Sequence, residues 1–361
     1  MMKVGIVGLP NAGKSSLFNA LSESGKAEAA NYPFTTIEPN VAVVPVRDDR
    51  LTQVSDTLGA SNVVWDTIEV HDIAGLVRGA SEGEGLGNKF LGNIRETDAI
   101  LHVVRAHEDS SIIHPEGSVD PVRDMDTIET ELIYADLEAA ERRQERLVKT
   151  ARSGDAAAKA ELVWVEQVIA ALQEGKPART VPVPHDAPDA MRNLTPLTGK
   201  PVLIVANVEE GDDEVPPAIL AHAEAIGAGA VAVSSRIEAD LSELDAEEAA
   251  SMREELGLSE SGLDRIIRGA FQLLDQLTFF TAGEGKPAQS WHLKRGATAW
   301  HAAGAIHSDI QKGFVRAEVI GWDRLVEAKG YAGARDAGTL RLEGRDYLMA
   351  DGDVITVKHT G

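Results

Sequence analysis

Residues 8–15 read GLPNAGKS, a match to G-x-x-x-x-G-K-[ST] set between an apolar run, KVGIVG at 3–8, and a helical run, Lys14–Ser22. The setting matters as much as the pattern. Glycine at 8 and 13 lets backbone N–H groups close around phosphate oxygens with no Cβ in the way. Lys14 is placed to neutralise β- and γ-phosphates, and the Ser15 hydroxyl to ligate Mg²⁺. Asn11, Ala12, Gly13 and Ser16 complete the expected phosphate-binding set at the start of the helix.

Working outward, further apolar runs are Val41–Val46, Val63–Val70, Ile100–Val104, Val202–Ala206 and Ala230–Val233. Several are rich in Val and Ile, as parallel strands buried on both faces tend to be, and helical stretches lie between most of them. A doubly wound, mostly parallel α/β sheet of the P-loop NTPase kind is therefore expected. One connection is too long for an ordinary crossover. Between Arg105 and Lys200, Thr127–Arg152 carries Ile128, Leu132, Leu137 and Leu147, and Ala156–Glu174 carries Leu162, Val165, Ile169 and Leu172. Ser153-Gly154-Asp155 between them is a turn signal, which predicts an inserted coiled-coil hairpin. Beyond Leu277, the runs Trp291–Lys294, Phe314–Ile320, Thr339–Leu342 and Asp353–Val357 are separated by glycines and predict a small α+β module. The expected domains are 1–120 with 200–277 (nucleotide-binding), 121–199 (hairpin) and 278–361 (C-terminal).

The formal charge of −23 argues against a general nucleic-acid coat. It is unevenly spread: Thr278–Gly361 holds 11 Lys/Arg against 10 Asp/Glu, so all of the excess acid lies before it. That contrast suggests a C-terminal module with its own partner. With no cysteine, disulfides and thiolate metal sites are ruled out. No apolar run reaches the roughly 18 residues of a membrane span, and the N-terminus lacks a signal pattern. No membrane partner is expected, and a cytoplasmic monomer is.

Two more segments fit a nucleotide-hydrolysing site. DIAGL at 72–76 follows WDTIEV and fits D-x-x-G, so Asp72 is placed to hold a Mg²⁺-bound water and the Gly75 N–H to meet a γ-phosphate. The stretch after it has glycines at 75, 79, 83, 85 and 87, as suits a loop that rearranges between nucleotide states. NYPFTTIEPN at 31–40 lies where a first switch loop belongs, with Thr36 as the better and Thr35 as the weaker Mg²⁺ ligand.

Together, GLPNAGKSS, FTTIEPN, DIAGLVRGASEGEGLGNKFL, the hairpin insertion and NVEE at 207–210 resemble the YchF/Obg-like ATPase family, relatives of the Obg translation-factor GTPases. The resemblance covers essentially the whole chain, and its end resembles a ubiquitin-like TGS domain. It implies Mg²⁺-dependent hydrolysis, an unusual preference for ATP, and association with ribosomes through rRNA or ribosomal proteins.

The base-reading segment departs from the GTPase pattern N-K-x-D, whose Asp accepts from guanine N1–H and N2–H₂. Val208 stands for the Lys and Glu210, one methylene longer, for the Asp. Losing that hydrogen-bond pair removes a discrimination of about 10⁴ or more. Asn207 and the Val208 backbone are expected to meet adenine, and Ser234-Ser235 to form the last base-contacting loop. ATP at least as good as GTP is the expectation. Leu76 stands where Ras-like proteins position water with Gln, and an aliphatic side chain cannot do so. His114 on the loop after Ile100–Val104 is a candidate catalytic group, against a structural role. Asn11 is a candidate aid to a K⁺ ion beside the phosphates, against a turn-stabilising role.

For partners, Arg142, Arg146 and Lys149 fall at i, i+4 and i+7, a cationic stripe suited to rRNA phosphates or, equally, a face paired with its own glutamates. Lys286, Lys294 and Arg295 make a weaker cluster, with Trp291 and Trp300 as base-stacking candidates against a core role. His292, His301 and His307 fit no compact metal motif. Two rival functions remain: a guanine-specific Obg-type GTPase, and an RNA- or ribosome-binding regulator whose hydrolysis is incidental.

Overall fold

The computed structural model describes residues 2–28, 40–73, 86–109, 111–152, 154–258 and 260–360. Its strands are β1 (Met2–Val7), β2 (Val41–Val46), β3 (Val63–Val64), β4 (Asp66–Asp72), β5 (Ala99–Arg105) and β6 (Val202–Asn207). They continue with β7 (Gly229–Val233), β8 (Gln276–Thr281), β9 (Ala288–Lys294), β10 (Phe314–Gly321), β11 (Arg341–Glu343) and β12 (Asp353–His359). Two compact units result. Among the described residues, one takes those up to Val44 and those in Glu69–Leu273, the other Pro45–Ile68 and those from Leu274 onward.

The first unit holds a six-stranded sheet in the order β2-β4-β1-β5-β6-β7. The pairs β1/β5, β5/β6 and β6/β7 are parallel, with Arg105 opposite Asn207 and Asn207 opposite Val233. Every residue of β5 and β6 is buried, which is why their sequences run apolar without alternation. Because the strands are parallel, their C-terminal ends line up on one edge, where the loops after β1, β5, β6 and β7 meet. That edge is where open α/β sheets bind ligands.

The inserted hairpin is present, as the helices Pro121–Ala151 and Ala156–Gln173. Asp120 caps the first by accepting from the Arg123 N–H, and Asp155 caps the second by accepting from the Ala158 N–H. Its apolar residues serve two cores. Met125, Ile128, Leu132 and Ala135 are buried with the sheet residues Val7, Val104 and Ile204. Further along, Ala140 and Leu147 pack with Trp164, Val165, Val168 and Leu172 of the second helix. Between the two cores, buried Asp136 accepts hydrogen bonds from the Leu197 N–H (2.8 Å), the Thr198 N–H (2.7 Å) and the Thr198 hydroxyl (2.7 Å). Those bonds tie the returning chain to the root of the hairpin.

In the second unit the sheet order is β11-β10-β12-β8-β9-β3. β8/β9, β10/β12 and β10/β11 are antiparallel, whereas β12/β8 and β3/β9 are parallel. The expected run Val63–Val70 is thus two strands in two sheets. Asp66 marks the break: its N–H donates to Ser290 Oγ (2.8 Å) and its carboxylate accepts from the Thr67 and His292 N–H groups (2.8 Å each). Residues 45–68, counted with the nucleotide-binding domain on sequence order, therefore belong by contact to the C-terminal unit. Leu51 and Val54 of the helix Asp49–Leu58 are buried there with Phe280, Leu325 and Val354.

Candidate nucleotide-binding site

The turn after β1 has the backbone a phosphate cradle needs. Gly8, Asn11 and Gly13 have φ of 152°, 62° and 101°. A Cβ on Gly8 would lie 2.3 Å from the Val103 carbonyl oxygen, and one on Gly13 would lie 2.4 Å from Asn207 Nδ2. Both glycines are thus fixed by sterics as well as by φ. Asn11 is among the residue types that tolerate the left-handed region, and its amide nitrogen donates to the Ile113 carbonyl at 3.0 Å. That bond ties the turn to the loop after β5.

The helix Lys14–Glu28 begins directly after Gly13 with no acidic residue in its first turn. Other helices of this chain carry Asp caps at that place; here the amide donors and the positive end of the helix dipole face the turn without a competing carboxylate. The Ser15 and Ser16 side chains are exposed at this end. Lys14 is 8% exposed, and its ammonium donates to the Leu9 carbonyl at 2.7 Å. Burial pulls the Lys14 ammonium below its usual range, partly offset by Asp72. Burial likewise pushes the Asp72 carboxyl up, partly offset by Lys14. The two are thus electrostatic neighbours at the ends of β1 and β4.

The expected base-reading residues converge on the same edge. Ala12, Asn207, Ser234 and Ser235 are all buried. Asn207 Nδ2 donates to the Ala12 carbonyl (3.0 Å) and Asn207 Oδ1 accepts from the Ser235 N–H (3.0 Å). Asn207 therefore ties the phosphate loop to the loop after β7. The Val208 N–H, expected to be free for adenine, donates to the Val233 carbonyl at 3.1 Å. Glu210, half exposed, pairs with Arg236 Nε at 3.0 Å. A cavity of ≈ 250 Å³ opens here, lined by Asn11, Gly13, Asn207, Val208, Glu210 and Ser235, among others.

Three residues that sequence reasoning passed over shape this cleft. His107 lines it, with its Nδ1 donating to the Asn207 carbonyl at 3.0 Å. Ile112 adds an apolar wall. Buried Arg105 organises their loop by donating to the carbonyls of His107 (3.1 Å), Asp109 (2.9 Å) and Ile112 (3.2 Å). A cation at the end of an otherwise apolar strand, before a polar loop, was the signal available. His114 lies farther along that loop, its side chain 7% exposed, with Nε2 donating to Asp124 Oδ2 at 2.9 Å. Its Nδ1 accepts from the Glu116 N–H at 3.2 Å. Thr36, Thr35, Gly75 and Leu76 lie outside the described residues.

No group of three or more His, Asp or Glu side chains forms a metal site among the described residues. The local donors still fit a Mg²⁺ ion of the kind completed by phosphates and water. Ser15 offers a hydroxyl beside the cradle, and Asp72 a carboxylate within electrostatic reach of Lys14. In the C-terminal unit, Trp291 stacks on Phe279 (6.3 Å) and donates to Thr281 Oγ1, and Trp300 packs against the same core, so both serve the core. His301 completes a capping box with Thr298, and His307 caps the helix Ser308–Lys312. No helix among the described residues is long and apolar enough to cross a membrane.

Two family models match the chain. One, described as a 50S ribosome-binding GTPase, covers residues 3–136; the other, the YchF-GTPase_C model, described as a protein of unknown function, covers 276–360. The chain is 49% identical to a protein of Haemophilus ducreyi named ribosome-binding ATPase YchF, over 98% of each chain. It is 46% identical to one of the same name in Bacillus subtilis, also over 98% of each. Among solved structures, that of the Schizosaccharomyces pombe YchF GTPase is similar with a TM-score of 0.88 and 36% identity, covering 99% of this chain and 97% of that one.

Proposed function

The chain belongs to the YchF family, and on that premise we propose that it is a Mg²⁺-dependent nucleoside-triphosphate hydrolase. It takes ATP at least as readily as GTP and associates with the ribosome. The base-reading segment carries the nucleotide preference. Val208 is buried where a GTPase places its ring-packing Lys, and the Glu210 carboxylate is engaged by Arg236 rather than standing free as guanine's acceptor. The names of relatives divide between ATPase and GTPase, so measurement has to decide. Titrating the protein with ATP and with GTP tests the reading; a guanine preference above about tenfold sinks it.

In this reading the amides of residues 11–16 and Lys14 hold the phosphates, and Asn207 keeps the cradle in register with the base cleft. Mg²⁺, when bound, would supply charge neutralisation at the phosphates; Ser15, Thr36 and, through water, Asp72 would hold it. Gly75 meets the γ-phosphate, and the segments at 31–40 and 75–87 change with nucleotide state. His114 acts on the attacking water, supported by the tie between its neighbour Ile113 and the phosphate loop at Asn11. Because both ring nitrogens are engaged, this role requires Nδ1, the accepting nitrogen, to give up the Glu116 N–H while Asp124 keeps hold of Nε2–H.

Ribosome association rests on the relatives' names and on the hairpin. Arg142 pairs with Glu138 and Arg143 with Glu161, while Arg146, Lys149 and Arg152 are exposed and form no ion pair among the described residues. These three form the cationic end of the hairpin, suited to rRNA phosphates. The C-terminal unit acts as a TGS module. Co-sedimentation with ribosomes in ATP, ADP and GTP, at two salt concentrations, tests this. Binding that ignores both nucleotide and salt would refute it.

A further inference from the structure

Arg236 stands one residue past the buried serine pair, at the rim of the base cleft, with a side chain 77% exposed. It is the one Lys or Arg lining that cleft among the described residues, against four carboxylates, Asp109, Glu209, Glu210 and Asp240. Its Nε sits 3.0 Å from Glu210 Oε1. Glu210 in turn holds the position from which a guanine-specific site presents its bidentate acceptor.

We propose that Arg236 is a specificity-determining residue, which biases the cleft toward adenine by holding the Glu210 carboxylate. The proposal rests on the nucleotide-site reading above and adds to it a residue outside the N-x-x-E segment. Two effects act in the same direction. Guanine presents N1–H and N2–H₂ donors, and a carboxylate shared with a guanidinium has fewer lone pairs for them. Adenine presents the N1 lone pair on the corresponding edge, and an unneutralised carboxylate opposite it is repulsive. The longer reach of Glu does not by itself exclude guanine, since a flexible side chain can retract; a partner that draws it to the rim adds a bias against guanine.

The test is a double-mutant cycle on the full-length protein. Dissociation constants for ATP and GTP are measured in Mg²⁺ by calorimetry for the natural protein, Arg236→Ala, Glu210→Gln and the double variant. Exposed ion pairs couple weakly, so Arg236→Ala is expected to shift the GTP:ATP affinity ratio toward GTP by about two- to fivefold. Glu210→Gln should abolish that shift in the double variant, and Arg236→Lys should retain most of the natural ratio. Thermal unfolding of Arg236→Ala should match the natural protein, since the pair is exposed. An unchanged ratio in Arg236→Ala overturns the proposal, as does a shift that persists in the double variant. A natural protein that prefers GTP more than tenfold defeats the ATP reading alone, because the cycle still reports the coupling. One that binds neither nucleotide defeats both.

Discussion

Asn207 is the residue on which a structural tie and a base reader make opposite predictions. It is 5% exposed and bridges two backbone groups, the Ala12 carbonyl and the Ser235 N–H, each at 3.0 Å. Asn207→Ala strands both. A buried backbone group left without a partner costs about 1–3 kcal/mol. The cleft mouth lets water reach part of the gap, so about 2–4 kcal/mol is expected in total. For a unit of this size that lowers the melting temperature by roughly 5–15 °C, at about 2–4 °C per kcal/mol. The same change loosens the phosphate loop against the loop after β7, which serves every nucleotide alike. ATP and GTP affinities should therefore fall together, to within about threefold of each other. Differential scanning fluorimetry and paired ATP and GTP titrations read both consequences. A variant that melts normally and loses ATP affinity more than tenfold while keeping GTP would refute the tie and make Asn207 a base reader.

Two further outcomes follow from the geometry. His102, enclosed in β5, has its pKa pushed down to about 3 by burial first and then by the positive charge of Lys14 and His222. The folded protein thus keeps it neutral where the unfolded chain, titrating near 6.5, takes a proton. Its contribution to stability is present above pH 6.5 and lost as pH falls toward 3, at about 1.4 kcal/mol per pH unit. Between pH 7.5 and 5, the unfolding free energy of His102→Leu relative to the natural protein should rise by about 2 kcal/mol; a pH-independent difference would contradict this. His114→Ala should lower single-turnover hydrolysis about 100-fold or more with nucleotide affinity retained, and unchanged turnover would return His114 to a purely structural role beside Asp124.

The hairpin shows how far helical periodicity carries. Its apolar spacing at Ile128, Leu132, Leu137 and Leu147, and again at Leu162, Val165, Ile169 and Leu172, pointed to two helices, and Ser153-Gly154-Asp155 to the turn between them. It did not reveal that Ile128 and Leu132 serve the sheet's core while Leu147 serves the hairpin's own. Periodicity reports that a face is buried, not what buries it. Val63–Val70 shows the converse. A β-rich run has no internal mark of where the chain leaves one sheet for another. The break at Asp66 depends on Ser290 and His292, more than two hundred residues away.

At the site, the sequence by itself determined the phosphate cradle, because Gly8, Gly13, Lys14 and Ser15 are adjacent along the chain and their chemistry is local. It also determined that the guanine reader is altered, since Val208 and Glu210 are a matter of identity alone. Only the tertiary structure decided what those side chains do. Parallel pairing of β5, β6 and β7 sets Arg105, Asn207 and Val233 side by side. That alignment puts Asn207 between Ala12 and Ser235, closes the Val208 N–H onto Val233, and brings Arg236 to Glu210. Each of these bonds joins segments that follow different strands, and no pattern within one segment encodes a bond whose other half lies in another.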